Sequence, residues 1–361
     1  MPRQTPVSRP DAASTAPLVE RWFARAARDL PWRRRRSGYH ALVSELMLQQ
    51  TQVSRVLEKF DGFIRRFPTA AALAQSSEDA VLAAWQGLGY YRRARLLHAA
   101  AKAVVDRHGG EVPSEADALR ALPGVGRYTA GAIASIAFGR REPIVDGNVT
   151  RVLQRLEAKQ GSASDPKLQA WAWKLAERYV AESRDPARAN EGLMELGATV
   201  CTPAAPRCGE CPLAARFRAK ARGLTGEIPA PKARVARKEL VLVSARVVRT
   251  DGAVLLEQRP TGGGRGGLWA GLWQPPTVES ADGASLGPSA AARLLSLSVT
   301  LARAGEVPFA TTHRQVLFAV FEARVRGKGA ALAVQGRRWV APDELPSFAL
   351  SNAARRVLGL R

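Results

Sequence analysis

Two carboxylates in the first half of the chain stand in contexts that suit acid and anion chemistry. Glu45 lies in Ser44-Glu45-Leu46-Met47-Leu48-Gln49-Gln50-Thr51-Gln52-Val53, flanked by apolar residues at helical spacing. A carboxyl group turned inward from such a helix loses hydration, which raises its pKa and lets it carry a proton for donation. Turned outward, the same glutamate would be ordinary solvated surface. Asp146 opens Val145-Asp146-Gly147-Asn148-Val149-Thr150-Arg151, immediately ahead of a predicted helix. It can cap that helix, or hold negative charge beside a developing cation. Cleavage of a glycosidic bond through an oxocarbenium-like transition state uses both groups, an acid for the leaving group and an anion near the sugar. The pair becomes a site only if the fold brings the two together.

The elements that must position them are helices. Residues from about Ala16 to Phe217 read as helices joined by short loops, with Leu42, Leu46, Val53, Val56, Leu57 and Phe60 repeating along Tyr39 to Phe67. Leu122-Pro123-Gly124-Val125-Gly126 follows one short helix and opens another at Arg127. Two glycines astride a valine make a tight hairpin whose free N–H groups lead into a helix N-terminus, a cradle for phosphate that needs no side chain. Gly-x-Gly alone is also an ordinary interhelical turn. With Leu-Pro before it and Arg-Tyr-Thr-Ala after it, the run is the more specific helix-hairpin-helix pattern, so Gly124, Val125 and Gly126 are candidate DNA-backbone contacts.

Charge agrees. The 361 residues carry 54 Lys plus Arg against 32 Asp plus Glu, a net of +22. Such an excess suits a polyanion, because phosphate neutralisation supplies most non-specific nucleic-acid affinity. No apolar run approaches the ~18 residues of a membrane helix, so no membrane role is expected. The polar N-terminus, without an apolar centre, does not read as a secretory signal. An intracellular, cytoplasmic and DNA-associated protein is the expectation. Cys201, Cys208 and Cys211, the only cysteines, cluster within eleven positions, and with no secretion signal this points to metal rather than disulfides.

The chain divides by composition into a disordered tail over 1–15, a helical domain over 16–217, a basic linker over 218–238 and an α+β domain over 239–361. The hairpin spans about 116–138 and the cysteine loop 201–217. Strands are expected at Leu240–Val248, Val254–Gln258, Gln315–Val325 and Arg337–Val340, with a hairpin turn at Thr250-Asp251-Gly252.

The order of motifs resembles the MutY-type adenine DNA glycosylases of the helix-hairpin-helix superfamily that also contains endonuclease III. It is carried by Arg28-Asp29-Leu30-Pro31-Trp32-Arg33, the Glu45 helix, Gln86-Gly87-Leu88-Gly89-Tyr90-Tyr91, the hairpin and the Asp146 loop. The resemblance implies an all-α helix-hairpin-helix glycosylase domain followed by a Nudix-like α+β domain. It implies a monomeric enzyme acting on double-stranded DNA, with adenine opposite 8-oxoguanine or guanine as its target. Glu45 would protonate the flipped adenine, and Asp146, assisted by Tyr128 and Asn148, would stabilise the sugar cation. Arg28, Arg33 and Glu191 would line the adenine pocket, Gln50, Thr51 and Leu88 would approach the lesion, and Tyr90 would wedge into the base stack.

Three positions refine that expectation. Endonuclease III-like enzymes carry after the hairpin a lysine that attacks the sugar, where this chain has Tyr128; a phenol forms no Schiff base, so the chain reads as monofunctional. Cys201-x6-Cys208-x2-Cys211 matches three of the four ligands of the family's 4Fe-4S cluster, and the fourth position is Phe217. Three thiolates with water or a carboxylate such as Glu210 on the last iron, a three-iron cluster, or a site that has lost its metal all remain open. Val254 to Pro260 and Gly267 to Pro276 resemble the Nudix-like domain. Between Pro275 and Ala310, however, the only acids are Glu279, Asp282 and Glu306, which argues for lesion reading over nucleotide hydrolysis. The reading loop is Thr311-Thr312-His313, with Thr312 and His313 as candidate lesion contacts. A bifunctional glycosylase/lyase and a non-catalytic DNA-binding module of the same fold are the competing readings.

Overall fold

The structure, a computed structural model, describes residues 15–230, 236–260, 268–327, 332 and 336–360. The chain falls into two compact units, Met1–Gln75 with Leu96–Ala233, and Ser76–Arg95 with Arg234–Arg361. The expected tail over 1–15 lies outside the described residues except for Thr15, which is buried.

Helices build the first unit: α1 (Ala16–Ala26), α2 (Pro31–Arg34), α3 (Gly38–Leu48), α4 (Val53–Leu57), α5 (Phe60–Arg66) and α6 (Ala70–Gln75). After α7 (Glu78–Ala84), which belongs to the second unit, come α8 (Arg92–His108), α9 (Ala116–Arg120), α10 (Arg127–Phe138) and α11 (Gly147–Glu157). The unit ends with α12 (Pro166–Ala181), α13 (Pro186–Thr199) and α14 (Arg218–Ala221). Helix α11 is strongly amphipathic: Val149, Val152, Leu153 and Leu156 enter a core with Ala172 and Tyr179 of α12 and Leu193 and Leu196 of α13. Each such leucine contributes roughly 1.5–3 kcal/mol of burial. Helix α3 is buried from Ala41 through Met47 and α11 from Val149 through Leu156, so both run through the unit rather than over it. Gly197 lets α13 approach the start of α11, since a Cβ there would stand 2.6 Å from Asn148 Cβ.

Two expectations are corrected. The helical block expected over 16–217 is interrupted, because Ser76–Arg95 packs with the C-terminal half. Main-chain carbonyls accept its side-chain donors: Gln86 Nε2 and Tyr91 OH on Leu350 O (3.2 and 3.0 Å), and Arg95 Nη2 on Ala270 O (2.8 Å). Helical periodicity says nothing about such tertiary partners. The linker expected over 218–238 is also partly structured. It forms α14, buries Ala219 and Ile228 to 0% and 1% exposure, and accepts from Arg155 Nε at Ile228 O (2.7 Å). Its residues 231–235 lie outside the described residues.

The second unit is a mixed sheet of β1 (Lys238–Arg249), β2 (Val254–Gln258), β3 (Trp273–Gln274), β4 (Thr277–Glu279), β5 (Ala302–Ala310), β6 (Arg314–Val325) and β7 (Arg337–Val340). The order is β3-β2-β1-β6-β5, with β4 also on β1 and β7 on β2. Strands β1 and β6 pair in parallel over Lys238↔Arg314 to Arg249↔Val325, and both faces are covered. Val243, Ala245, Val247, Ala319 and Phe321 face a core with α15 (Pro288–Leu294). The alternate residues Leu240, Leu242, Val316, Phe318 and Val320 face one with α16 (Asn352–Leu358). A central pair buried on two sides explains its near-continuous apolar sequence. All four expected strands form, whereas β5, with alternating exposure, and the short β3 and β4 were not anticipated.

Candidate active site and DNA-binding hairpin

In the hairpin between α9 and α10, Val125 N donates to Leu122 O (3.2 Å) and Gly126 is the N-cap residue of α10. Gly124 takes φ +79°, and a Cβ there would lie 2.7 Å from Leu96 Cβ, so both backbone conformation and close approach to α8 require glycine. Gly126 is exposed and its neighbourhood is open, leaving the start of α10 accessible to a phosphate.

Behind the hairpin, a cavity of about 510 Å³ brings together Glu45 from α3, Tyr128 from α10, Asp146 and Asn148 at the start of α11, and Glu191 from α13. Arg28, Arg33, Gln50 and Thr51 also line it, so the cavity collects all seven expected catalytic and adenine-pocket residues and two of the expected lesion contacts. Glu45 is 7% exposed, and burial lifts its pKa to about 7. The Tyr128 hydroxyl opposes that rise, while the charges of Asp146 and Glu191 add to it. Tyr128 donates to Met194 Sδ (3.1 Å), and burial, then Glu45 and Asp146, hold its phenol well above its ordinary pKa.

Asp146 caps α11, its Oδ1 accepting from Val149 N at 2.6 Å. Burial raises its pKa above the ordinary value, opposed by the amides of Val149 and Asn148 and by the charge of Arg151. Arg151 Nη2 donates to Asn148 Oδ1 (2.8 Å) and to Gly197 O (2.8 Å). With its oxygen so engaged, the Asn148 amide turns its NH2 group toward Asp146 Oδ2 (3.4 Å).

The polar wall is a charged network. Arg28 grips Glu195 bidentately (2.7 and 3.0 Å), and Arg33 bridges Glu191 (2.9 Å) and Glu195 (3.0 Å). Arg36 completes it on Glu191 (2.7 Å). Burial lifts Glu191 above its ordinary pKa, against Arg36 and Arg33. Burial acts the same way on Glu195, but hydrogen bonds from Arg28 and Arg33 outweigh it and hold the carboxyl below its ordinary value. Glu195, Arg36, Gln49, Trp32 and Met194 were not anticipated from sequence. Glu195 follows Glu191 by one helical turn on α13, and that i, i+4 spacing was the available signal.

The remaining expected contacts lie in the second unit. Tyr90 is 45% exposed with φ +48°, and its hydroxyl hydrogen-bonds Thr312 Oγ1 at 2.6 Å. Thr312 and His313 are exposed at the β5–β6 turn, which Thr311 closes by accepting from Arg314 N (2.9 Å). Leu88, expected at the lesion surface, is only 5% exposed. Helix α15 reads Pro-Ser-Ala-Ala-Ala-Arg-Leu, without a metal-binding carboxylate.

The cysteine loop does not fit a four-ligand cluster. Cys201 is buried, Cys208 and Cys211 are half-buried, and the space they line with Phe217 is about 10 Å³, room for one water at most. Phe217 is 6% exposed and packs in the α11–α13 core, while Glu210 pairs with Arg207 at 3.0 Å. Among the described residues no group of three His, Cys, Asp or Glu is arranged to hold a metal ion. Burial pushes the Cys211 thiol up to about 11 and Cys201 above its ordinary value.

A helix-hairpin-helix turn with an accessible helix start, next to a cavity lined by carboxylates, is the arrangement of a base-excision DNA glycosylase. Residues 43–178 match the HhH-GPD superfamily of base excision DNA repair proteins, and residues 244–360 match the NUDIX domain. The adenine DNA glycosylase of Homo sapiens is 36% identical over 397 residues, covering 93% of this chain and 72% of that protein. That of Mycolicibacterium smegmatis is 46% identical over 193 residues, covering 53% of this chain and 65% of that protein. A solved thermostable thymine-DNA glycosylase has a TM-score of 0.54 at 27% identity, covering 59% of this chain and 97% of its own. The chain belongs to the adenine DNA glycosylase family. It is a monofunctional, DNA-binding hydrolase of the adenine N-glycosidic bond, with a helical domain followed by a Nudix-like α+β domain, as its motifs led us to expect. Among the described residues no helix is long and apolar enough to cross a membrane.

Proposed function

We propose that the substrate is adenine mispaired with 8-oxoguanine or guanine in duplex DNA, and that a monomer excises it inside the cell with Glu45 and Asp146. The observation that carries this reading is the shared cavity. It sets a carboxyl group with a pKa of about 7 beside a second carboxylate held by a helix start and an asparagine amide. Glu45, protonated in part at neutral pH, gives its proton to the leaving adenine, which makes the base a better leaving group. The Asp146 anion stabilises the positive charge that develops on the sugar as the bond breaks. Water then adds to the sugar, and Glu45, now a carboxylate, accepts its proton. Tyr128 and Asn148 orient the two carboxyl groups. The Arg28–Arg33–Glu191–Glu195 network presents donors and acceptors to the flipped base. The decisive assay is a duplex bearing adenine opposite 8-oxoguanine: the adenine strand should break only after alkali. Strand scission without alkali, or no excision, would reject the reading.

The cavity lining includes no lysine among the described residues, and Tyr128 stands at the motif position where endonuclease III-like enzymes carry their attacking lysine. Borohydride added during turnover should therefore trap almost no covalent enzyme–DNA adduct, judged beside an endonuclease III control on its own substrate. Abundant trapping would require an unforeseen amine at the sugar.

Lesion preference we assign to Thr312 and His313, with Tyr90 as the wedge and Gln50, Thr51 and Leu88 as further candidate lesion contacts. Support comes from the 2.6 Å bond between the Tyr90 and Thr312 hydroxyl groups, which ties an exposed aromatic to the reading loop. Thr312→Val removes the hydroxyl at nearly constant volume. One lost hydrogen bond of about 1–1.5 kcal/mol should reduce the preference for 8-oxoguanine over guanine by roughly tenfold. Single-turnover rates on the two mispairs measure it, and an unchanged ratio would remove Thr312 from the reader.

A further inference from the structure

The cysteine loop is held by a buried guanidinium. Arg155, 1% exposed on α11, donates through Nη1 to Thr202 O (2.7 Å) and Cys201 Sγ (3.3 Å). Through Nη2 it reaches Pro203 O (2.9 Å), and through Nε it reaches Ile228 O (2.7 Å), so both ends of the 201–228 segment are tied to one side chain. A planar fork of five donors can serve several carbonyls at once in fixed geometry. Phe217 fills the space opposite, its ring in the same core as Leu213, Val200 and Cys201. We infer that this chain holds its cysteine loop without an iron–sulfur cluster, Arg155 and the Phe217 ring making the connections that four thiolates on an inorganic core would make. The loop's shape, and the excision that depends on the fold around it, are therefore independent of iron supply and of oxidants that attack clusters. The three cysteines act as small apolar packing groups, with Cys201 also accepting from Arg155.

The test uses the full chain, purified under strict anaerobiosis from iron-replete cells. Iron and acid-labile sulfide should be at background, without visible absorption. The double variant Cys208→Ala/Cys211→Ala should match wild type in single-turnover excision, with Tm lowered by no more than about 2–4 °C. Arg155→Met should lower Tm by roughly 10 °C or more, and if it fails to fold, the milder Arg155→Lys should still lower Tm by several degrees, since one ammonium cannot replace the fork. A full complement of iron and sulfide in wild type, abolished in the cysteine variant, would overturn the inference. So would a collapse of Tm in the cysteine variant while Arg155→Lys melts like wild type.

Discussion

Glu45→Gln should lower single-turnover excision of adenine by about 10²–10⁴-fold, the usual contribution of a positioned proton donor, while leaving duplex affinity nearly unchanged. Glutamine keeps the volume and can still hydrogen-bond Tyr128, but it has no transferable proton. The pH dependence follows from the environment. Burial raises the Glu45 pKa to about 7, so the reactive protonated form is abundant below that pH and is lost as pH rises through it. Excision should fall on the alkaline side, and the residual rate of Glu45→Gln should lack that limb. The same shift has a stability sign. With a folded pKa above the unfolded value, Glu45 contributes no penalty below its ordinary value of 4.5. The penalty grows as pH rises from there, because the folded chain must hold a proton that the unfolded chain has released, and it is constant above about 7. The variant should therefore gain on wild type between pH 5 and pH 8, by ~1–3 kcal/mol at the upper end. Chemical denaturation at the two pH values measures this. A variant that excises normally, or whose relative stability does not change with pH, would place the acid elsewhere.

The helical half was legible because its signals are local. Gly124 needs its positive φ, Asp146 caps the helix that follows it, and α11 wears its apolar stripe openly in the sequence. The meeting of Glu45 and Asp146 was not legible from spacing, since 101 positions separate them and the distance is closed by α3 packing on α10 and by α10 and α11 both packing on α13. Their motif resemblance supplied what periodicity lacked. What escaped notice is of two kinds. Glu195 and Arg36 act through ion pairs with residues distant in sequence, and a lone glutamate on a helix or a lone arginine in a loop looks like solvated surface. Residues Ser76–Arg95 read as part of a helical domain, yet their hydrogen bonds go to carbonyls near Ala270 and Leu350, which no pattern of side chains encodes. Phe217 was conspicuous as a missing ligand. Its replacement by packing, and the role of Arg155, required the structure.

Asp146→Asn separates two jobs that the native carboxylate performs at once. As the N-cap of α11 it accepts from Val149 N at 2.6 Å, and asparagine caps a helix about as well as aspartate, so folding should be little affected. Its charge is another matter. Asn148 and the amides at the start of α11 hold the anion in place, and a buried negative charge beside an oxocarbenium-like sugar acts in a medium that screens it poorly. Removing that charge should cost on the order of 10²–10³-fold or more in single-turnover excision, with Tm close to wild type. Asp146→Ala should show the same kinetic loss with a further ~1 kcal/mol of destabilisation, because the cap is lost as well. Comparison of the two variants by rate and by melting distinguishes a charge at the sugar from a merely structural cap. If the asparagine variant excises adenine at a near-normal rate while the alanine variant is slow and unstable, Asp146 is only a cap, and the cation must be stabilised by another group in the cavity.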